Sequence, residues 1–574
     1  MHQALGQLPE EAEYDLIVLG AGGAGMAAAL FAALDGLRVL LVERTEFLGG
    51  TTALSAATTW IPNTQHAGEG DSPAQAAEFL DHAVGNHASR ALRQAFLEAG
   101  PQAIARLEAE TEVKFRARPL HPDYIQEIPG ATLRGRALEP LPFDGRKLGA
   151  LFPLLRPPIP EFTILGGMMV DRDDIGHLLG LRKSWRSARH ALGLLARHAA
   201  DRLRQKRGTR LVMGNALVGR LLHELARRGV DMLTETKTEA LLREGGRVTG
   251  LMLQQHGTRR QVRTRRGVVL ATGGFGRHPA RRAEMLHTPT PAHSPAAPGH
   301  TGEMHDLALA IGARYGEGGM DNAFWAPVST RTRADGSTAV FPHFVLDRGK
   351  PGTVAVNAAG RRFVNEATSY HLFARAMFAS HATVPTIPCF LIADAVALRK
   401  YGLGMVRPGG RGLAPYLADG YLTEAPTLDA LAAKLGVDAA GLAQTVAAMN
   451  RYAETGEDPE FGRGSTAYHR ANGDAAQQPN PNLGPIATAP FYAVRLLPGD
   501  IGAATGLVTD VNAQVLDEAN QPIGGLYAAG NDMHSIMGGA YPGPGITIGP
   551  GITFGFLAAR HAARGAPRHA AQSG

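Results

Sequence analysis

A glycine-punctuated turn between two apolar strands narrows the fold of this 574-residue chain more than any other feature. Residues 14–43 read Y-D-L-I-V-L-G-A-G-G-A-G-M-A-A-A-L-F-A-A-L-D-G-L-R-V-L-L-V-E. The apolar run Leu16 to Leu19 enters Gly20-Ala21-Gly22-Gly23-Ala24-Gly25, an alanine-rich helix follows, and a second strand, Val39 to Val42, ends on Glu43. Gly20 permits the tight turn, Gly22 lets main chain approach a pyrophosphate, and Gly25 lets helix and strand pack closely. The helix N-terminus adds unpaired N–H groups and a positive dipole. Glu43 stands where an acid accepts hydrogen bonds from an adenosine ribose. The pattern specifies a dinucleotide site without separating NAD from FAD.

The next stretch separates them. Residues 49–63, G-G-T-T-A-L-S-A-A-T-T-W-I-P-N, place the amides and hydroxyls of Gly49, Gly50, Thr51, Thr52 and Ser55 where a second ligand segment can lie, and a bare NAD domain has no use for them. Glycine, at 71 residues, is abundant enough for the backbone to approach ligand in several places. Cys389 is the only cysteine, so disulfides within the chain and cysteine-built metal sites are excluded. No basic start followed by an apolar core opens the sequence, and no apolar run is long enough to span a bilayer. A cytoplasmic protein with no metal is the expectation; His121, His371 and His534 show no ligand spacing and read as structural or exposed.

The net charge of +6 is unevenly spread. Residues 146–215 depart from α/β alternation: a proline-punctuated apolar loop precedes a segment, Arg182 to Arg210, with ten basic residues against the single acid Asp201. Within it Leu181, Trp185, Ala188, Leu192, Leu195, Ala199 and Leu203 recur at helical steps, so one face is apolar and the other cationic. Two readings stay open: a helix docked on its own protein with a solvated back, or a helix lying in the surface of a membrane. The apolar loop beside it favours peripheral membrane association through 146–210. Nothing resembles a nucleic-acid reading module, so nucleic acid is not expected as a partner.

Residues 271–274, A-T-G-G, end an apolar strand on a second glycine turn, and residues 525–532, G-L-Y-A-A-G-N-D, end another. Pro289 to Pro298 marks a boundary by composition. The expected organisation is α/β: a Rossmann-like FAD-binding domain of discontinuous sequence (11–290 and 485–574, with 146–215 as an insertion), plus an α+β catalytic or cap domain (291–484). Residues 428–450 read as one helix of that cap.

With both ends in view the chain resembles the flavoprotein group of the fumarate reductase and succinate dehydrogenase flavin subunits, and more narrowly the 3-ketosteroid Δ1-dehydrogenases. The resemblance is carried in order by residues 49–63, by A-T-G-G-F at 271–275, by G-R-R-F-V-N-E-A-T-S-Y at 360–370, by residues 525–532, and by G-G-A-Y-P-G-P-G-I-T-I-G-P at 538–550. The 146–215 segment is similar to the insertion expected in forms acting on long-side-chain sterols such as cholest-4-en-3-one. The resemblance implies non-covalent FAD held by Gly20, Gly22, Ala24, Gly25, Glu43, Arg44, Gly50, Thr51, Thr52, Ser55, Ala271, Thr272, Gly273, Gly530, Asn531, Asp532, Ile546 and Ile548, with a 3-ketosteroid wedged between the lobes. A quinone-like or dye acceptor would reoxidise the flavin.

Desaturation beside a ketone poses two problems. The C2 proton is acidic only if the developing enolate oxygen is stabilised, and the C1 hydrogen must leave as hydride to flavin N5. The family pattern maps the C3-oxygen donors onto the Tyr541 phenol and the Gly545 amide, the base onto Tyr370, and the base's partner onto Tyr124. A phenol is a poor base at its ordinary pKa near 10, and Tyr124 is expected to ease its loss of a proton. Asn365 and Glu366 are read as pinning the loop, and Cys389 as a small core residue. A fumarate reductase clamps dicarboxylates with arginine where this chain has Tyr541, which argues against a dianion. A 3-oxo-5α-steroid Δ4-dehydrogenase would also use phenols and a flavin; the pairing of Tyr541 with Gly545 favours Δ1. A non-catalytic lipid carrier has no reason to keep a flavin cradle.

Overall fold

Residues 1–68, 70–290, 293–344 and 347–564 are described in a computed structural model. The boundary expected at 290/291 and the last ten residues of the expected 485–574 segment therefore touch or lie outside the described residues.

The fingerprint region folds as strand Ala12–Leu19, helix Gly23–Leu34 and strand Val39–Val42. Strand residues buried on both faces, such as Leu16 to Leu19, are what a parallel sheet covered on two sides demands. Ala12–Leu19 lies between Val39–Val42 and Thr258–Leu270, parallel to both, and Asp231–Leu233 extends the edge. The strand Pro522–Ala528 returns to pair in parallel with residues 268–270, which makes this domain discontinuous, as expected. The C-terminal helix Ile548–Ala563 then lies against Gly23–Leu34, with Phe31 and Phe556 rings 4.9 Å apart. Gly555 makes that approach possible: a Cβ there would sit 3.0 Å from the Ala24 carbonyl.

The second lobe is built on a six-stranded sheet in the order 338–342, 323–332, 491–503, 389–393, 353–356, with Leu422–Ala425 also on the central strand. That central strand, Phe491–Ala503, corrects the boundary expected at 484/485. It pairs with Ala323–Thr332 and Cys389–Ala393, so the cap sheet is completed by residues assigned from sequence to the first lobe. The helix expected over 428–450 is two, Leu428–Leu435 and Ala439–Thr455. Gly436, at φ +67°, ends the first and Asp438 caps the second. Glu366 does pin its loop: it takes Arg362 at 2.8 Å and Arg463 at 3.1 Å in a fully buried cluster with Asp458. Asn365 donates to the Phe461 carbonyl at 3.1 Å, and Cys389 is buried.

The basic helix forms over Trp185–Arg202, but it docks on a different stripe from the apolar one. Its buried residues are Ala191, Leu194, His198 and Asp201. Polar bonds fix them: His198 to the Leu165 carbonyl at 2.9 Å, Asp201 to the Thr209 amide at 2.7 Å, and neighbouring Arg197 to Asp144 at 2.8 Å. Trp185, Leu192 and Leu203 are left 80%, 57% and 85% exposed, so much of the hydrophobic face is uncovered, while Leu195 packs against Met168, Val170 and Leu194. Arg207 is not part of the solvated basic face; it bonds Asn215 and the Leu155 carbonyl, and burial lowers it to about 10. Among the described residues no helix is long and apolar enough to cross a membrane.

Candidate active site

A single cavity of about 810 Å³ runs from the glycine turns of the first lobe to the interface with the second. Gly20, at φ +95°, leaves the strand so tightly that a Cβ would meet the Ala271 carbonyl oxygen at 2.3 Å. A Cβ on Gly25 would lie 1.9 Å from the Gly20 oxygen, so Gly25 serves packing and does not line the cavity. Gly22 has open space where its side chain would be and faces the cavity, as close approach of a pyrophosphate requires. The Thr52 hydroxyl accepts from the Gly23 amide at 3.1 Å. Ala24, Glu43, Arg44, Gly50, Thr51, Ser55, Ala271, Thr272, Gly273, Gly530, Asn531 and Ile548 also line the cavity.

Of the other residues expected in the cradle, Glu43 lines the cavity, whereas Asp532 and Ile546 do not. Glu43 accepts from the Ala21 amide at 3.0 Å and the Thr45 amide at 2.9 Å, so it braces the turn as well as facing the cavity. Asp532 is fully buried; it accepts from the Gly274 amide at 2.9 Å and lies 3.2 Å from His305, tying one glycine turn to the other behind the cavity wall. Ile546 is buried in the core and does not line this cavity. His300 was missed. It lines the cavity beside Thr51, 3.2 Å away, burial lowers it to about 4, and its Nδ1 has no partner among the described residues. The open glycine face, the hydroxyls and this unpartnered nitrogen fit a bound FAD.

At the lobe interface four tyrosines converge. Tyr541 and Tyr370 rings are 5.1 Å apart, Tyr124 and Tyr370 5.4 Å, and Tyr124 stacks on Tyr541 at 5.9 Å with planes 14° apart. The Tyr124 hydroxyl donates to the Tyr370 oxygen at 3.3 Å. Each comes from a different element. Tyr370 opens the helix Tyr370–His381, which Ser369 caps. Tyr124 is held by its own amide on the Pro542 carbonyl at 2.7 Å, and Tyr541 lies on that same turn. Gly545, at φ +95°, sits so close to the chain that a Cβ would meet the Thr58 oxygen at 2.0 Å. Its amide donates to no protein acceptor among the described residues, and it lines the cavity with the three phenols.

Burial raises Tyr124 and Tyr370 well above the ordinary phenol value, and raises Tyr541 too. In the ligand-free chain Tyr124 adds to the rise at Tyr370, against the expectation that it eases the loss of that proton. Two residues the motifs did not point to act on Tyr124 in opposite senses: Tyr468 adds to the rise and Arg348 opposes it. Tyr468 packs on Tyr124 at 4.8 Å, its hydroxyl buried without a partner among the described residues. Arg348 is completely buried and forms no ion pair among the described residues; it donates to the carbonyls of His343 and Glu366, and its Nη2 has no acceptor. This lone cation acts on Tyr124 and Tyr468 in the sense that favours phenolate. His371 packs on Tyr541 and is neutral, lowered to about 4 by burial. Among the described residues one group, Glu112, His223 and Glu224, brings three candidate metal ligands together, but its carboxylates already hold Lys147, Arg227 and Arg228.

The sequence profile of the FAD binding domain family matches residues 15–548. The chain is 37% identical to the 4-oxocyclohex-2-ene-1-carboxylate 5-dehydrogenase of Sinomonas cyclohexanicum, covering 96% of this chain and 94% of that one. It is 36% identical to the 3-oxosteroid 1-dehydrogenase of Mycobacterium tuberculosis, covering 96% and 98%. Among solved structures, the 3-ketosteroid Δ1-dehydrogenase of Sterolibacterium denitrificans, in complex with 1,4-androstadiene-3,17-dione, superimposes with a TM-score of 0.90 at 37% identity, over 96% of this chain and 99% of that one.

Proposed function

Since this chain belongs to the FAD-binding-domain flavoproteins, alongside the 3-oxosteroid 1-dehydrogenases, we propose that it dehydrogenates 3-ketosteroids between C1 and C2. The observation that carries the reading is the meeting of Tyr541, Tyr370, Tyr124 and the undonated Gly545 amide at the end of the FAD cavity. Tyr541 and the Gly545 amide hold the C3 oxygen and stabilise the negative charge it gains; each such donor is worth about 3–4 kcal/mol. Tyr370 takes the C2 proton, and the electrons of that C–H bond move toward the C3 oxygen. Tyr124 keeps the Tyr370 oxygen aimed at C2 and shares its charge, with Arg348 favouring the ionised pair. FAD, when bound, supplies the acceptor for the hydride that leaves C1 as the double bond closes, and a quinone or dye reoxidises it.

The relatives act on ketone-bearing rings of different size, and the walls support the larger. Beyond the phenols the cavity is lined by Ile159, Phe162, Met169, Val170, Pro342 and Phe344, an apolar path suited to a fused-ring body rather than to a small oxocyclohexane acid. A Δ4 activity on 5α-steroids is the rival, and product identity decides. Incubation with androst-4-ene-3,17-dione and a dye acceptor is expected to give the 1,4-diene; turnover of 5α-androstane-3,17-dione to the 4-ene alone would replace this reading.

Peripheral membrane association is a second part of the proposal. Leu165, Ile175, Leu179, Trp185, Leu192 and Leu203 are exposed together with Arg182, Lys183, Arg186 and Arg189. Apolar side chains ringed by cations suit an anionic bilayer surface. Ile175 also lines the cavity, so the patch and the cavity share the helix Arg172–Leu179. Co-sedimentation with anionic vesicles, lost on deleting 182–207, tests it.

A further inference from the structure

The reacting end of the cavity is sealed among buried phenols, so the end of a bound molecule remote from its ketone lies toward solvent, where Arg172 is exposed. The charges there do not balance. Arg116 and Arg118 on this rim are matched by Glu139 and Asp173, and Asp171 faces Arg210 at 3.9 Å. Arg172 and Lys350 form no ion pair among the described residues; Lys350 donates only to the Gly473 carbonyl, at 2.6 Å. Both line the cavity. His121, largely buried on the same wall, has an Nδ1 with no partner among the described residues. The three are close enough to feel one another: burial, helped by the charge of Arg172, lowers Lys350 to about 8 against the carboxylates of Asp474 and Asp347, and lowers His121 to about 4 against that of Glu139. Two cations that repel each other across a cavity mouth are stabilised by an anion between them, and each hydrogen bond they give it is charge-assisted.

We propose that this mouth binds a carboxylate carried by the substrate at the end opposite its ketone, with Arg172 and Lys350 as its cations and His121 as a further donor. The preferred substrates are then 3-ketosteroids whose side chain ends in an acid. This rests on the steroid reading above, and the experiment separates the two. Three substrates are compared on the FAD-loaded protein: neutral androst-4-ene-3,17-dione, 3-oxochol-4-en-24-oic acid, and the methyl ester of that acid.

The acid is expected to exceed the ester in kcat/KM by about tenfold at low salt, through KM, with the advantage shrinking as salt is added. Arg172→Gln, a change at an exposed position, lowers the acid-to-ester ratio severalfold; with Lys350→Gln added the ratio approaches one, while Arg172→Lys keeps most of it. An ester as good as the acid in the unsubstituted protein overturns the inference and leaves the steroid reading standing, as does an acid preference that survives the double substitution. Turnover of none of the three overturns both.

Discussion

The phenol-lined cavity and the surface of the 146–210 segment break the usual partition of residues in opposite directions. At and behind the walls of the first, a hydroxyl, a guanidinium and an imidazole are buried without the partners burial normally demands among the described residues: the Tyr468 hydroxyl, Arg348 Nη2 and His300 Nδ1. In the second, Trp185, Leu192 and Leu203 are exposed although they lie on a helix with a perfectly usable apolar face. Unsatisfied polar groups around a cavity leave capacity that a ligand fills. Uncovered apolar groups on a surface leave capacity that another surface fills.

The comparison breaks most sharply at the phenols. Tyr370→Phe is expected to lower the rate of flavin reduction by at least about 10³-fold while steroid still binds; retention of most of the rate removes Tyr370 as the base. Tyr541→Phe is expected to cost about 10²–10³-fold in the same single-turnover step, and an unchanged rate places the C3 oxygen elsewhere. Arg348→Met withdraws a positive charge from the phenols, so they ionise at higher pH. The rising limb of the rate-against-pH profile then moves upward, and Arg348→Lys restores it. A limb that stays in place while stability falls makes Arg348 purely structural. At the surface, Trp185→Ser with Leu192→Ser is expected to change stability by no more than about 0.5 kcal/mol each and to abolish vesicle binding. A loss of several kcal/mol would show that the exposed face is part of the folded core.

Much of this was legible in sequence because the signals are local. Gly20, Gly22 and Glu43 lie within one strand-turn-helix-strand unit, and Tyr541 and Gly545 lie in one turn, so their spacing carries the information. Arg348, Tyr468 and His300 are brought to the site by tertiary contacts, and nothing in their neighbours' pattern marks them. The docked stripe of the basic helix was hidden for another reason. Periodicity identified its apolar face, whereas polar bonds from His198 and Asp201 decided which face is buried. Phe491–Ala503 was misplaced because a strand's sequence does not say which of two sheets it joins.

Anaerobic mixing of the FAD-loaded protein with androst-4-ene-3,17-dione, followed by flavin absorbance and product structure, tests the central claim most directly. Bleaching of the oxidised flavin band together with a new C1–C2 double bond is the predicted result. A flavin that stays oxidised, or a product unsaturated anywhere else, contradicts it.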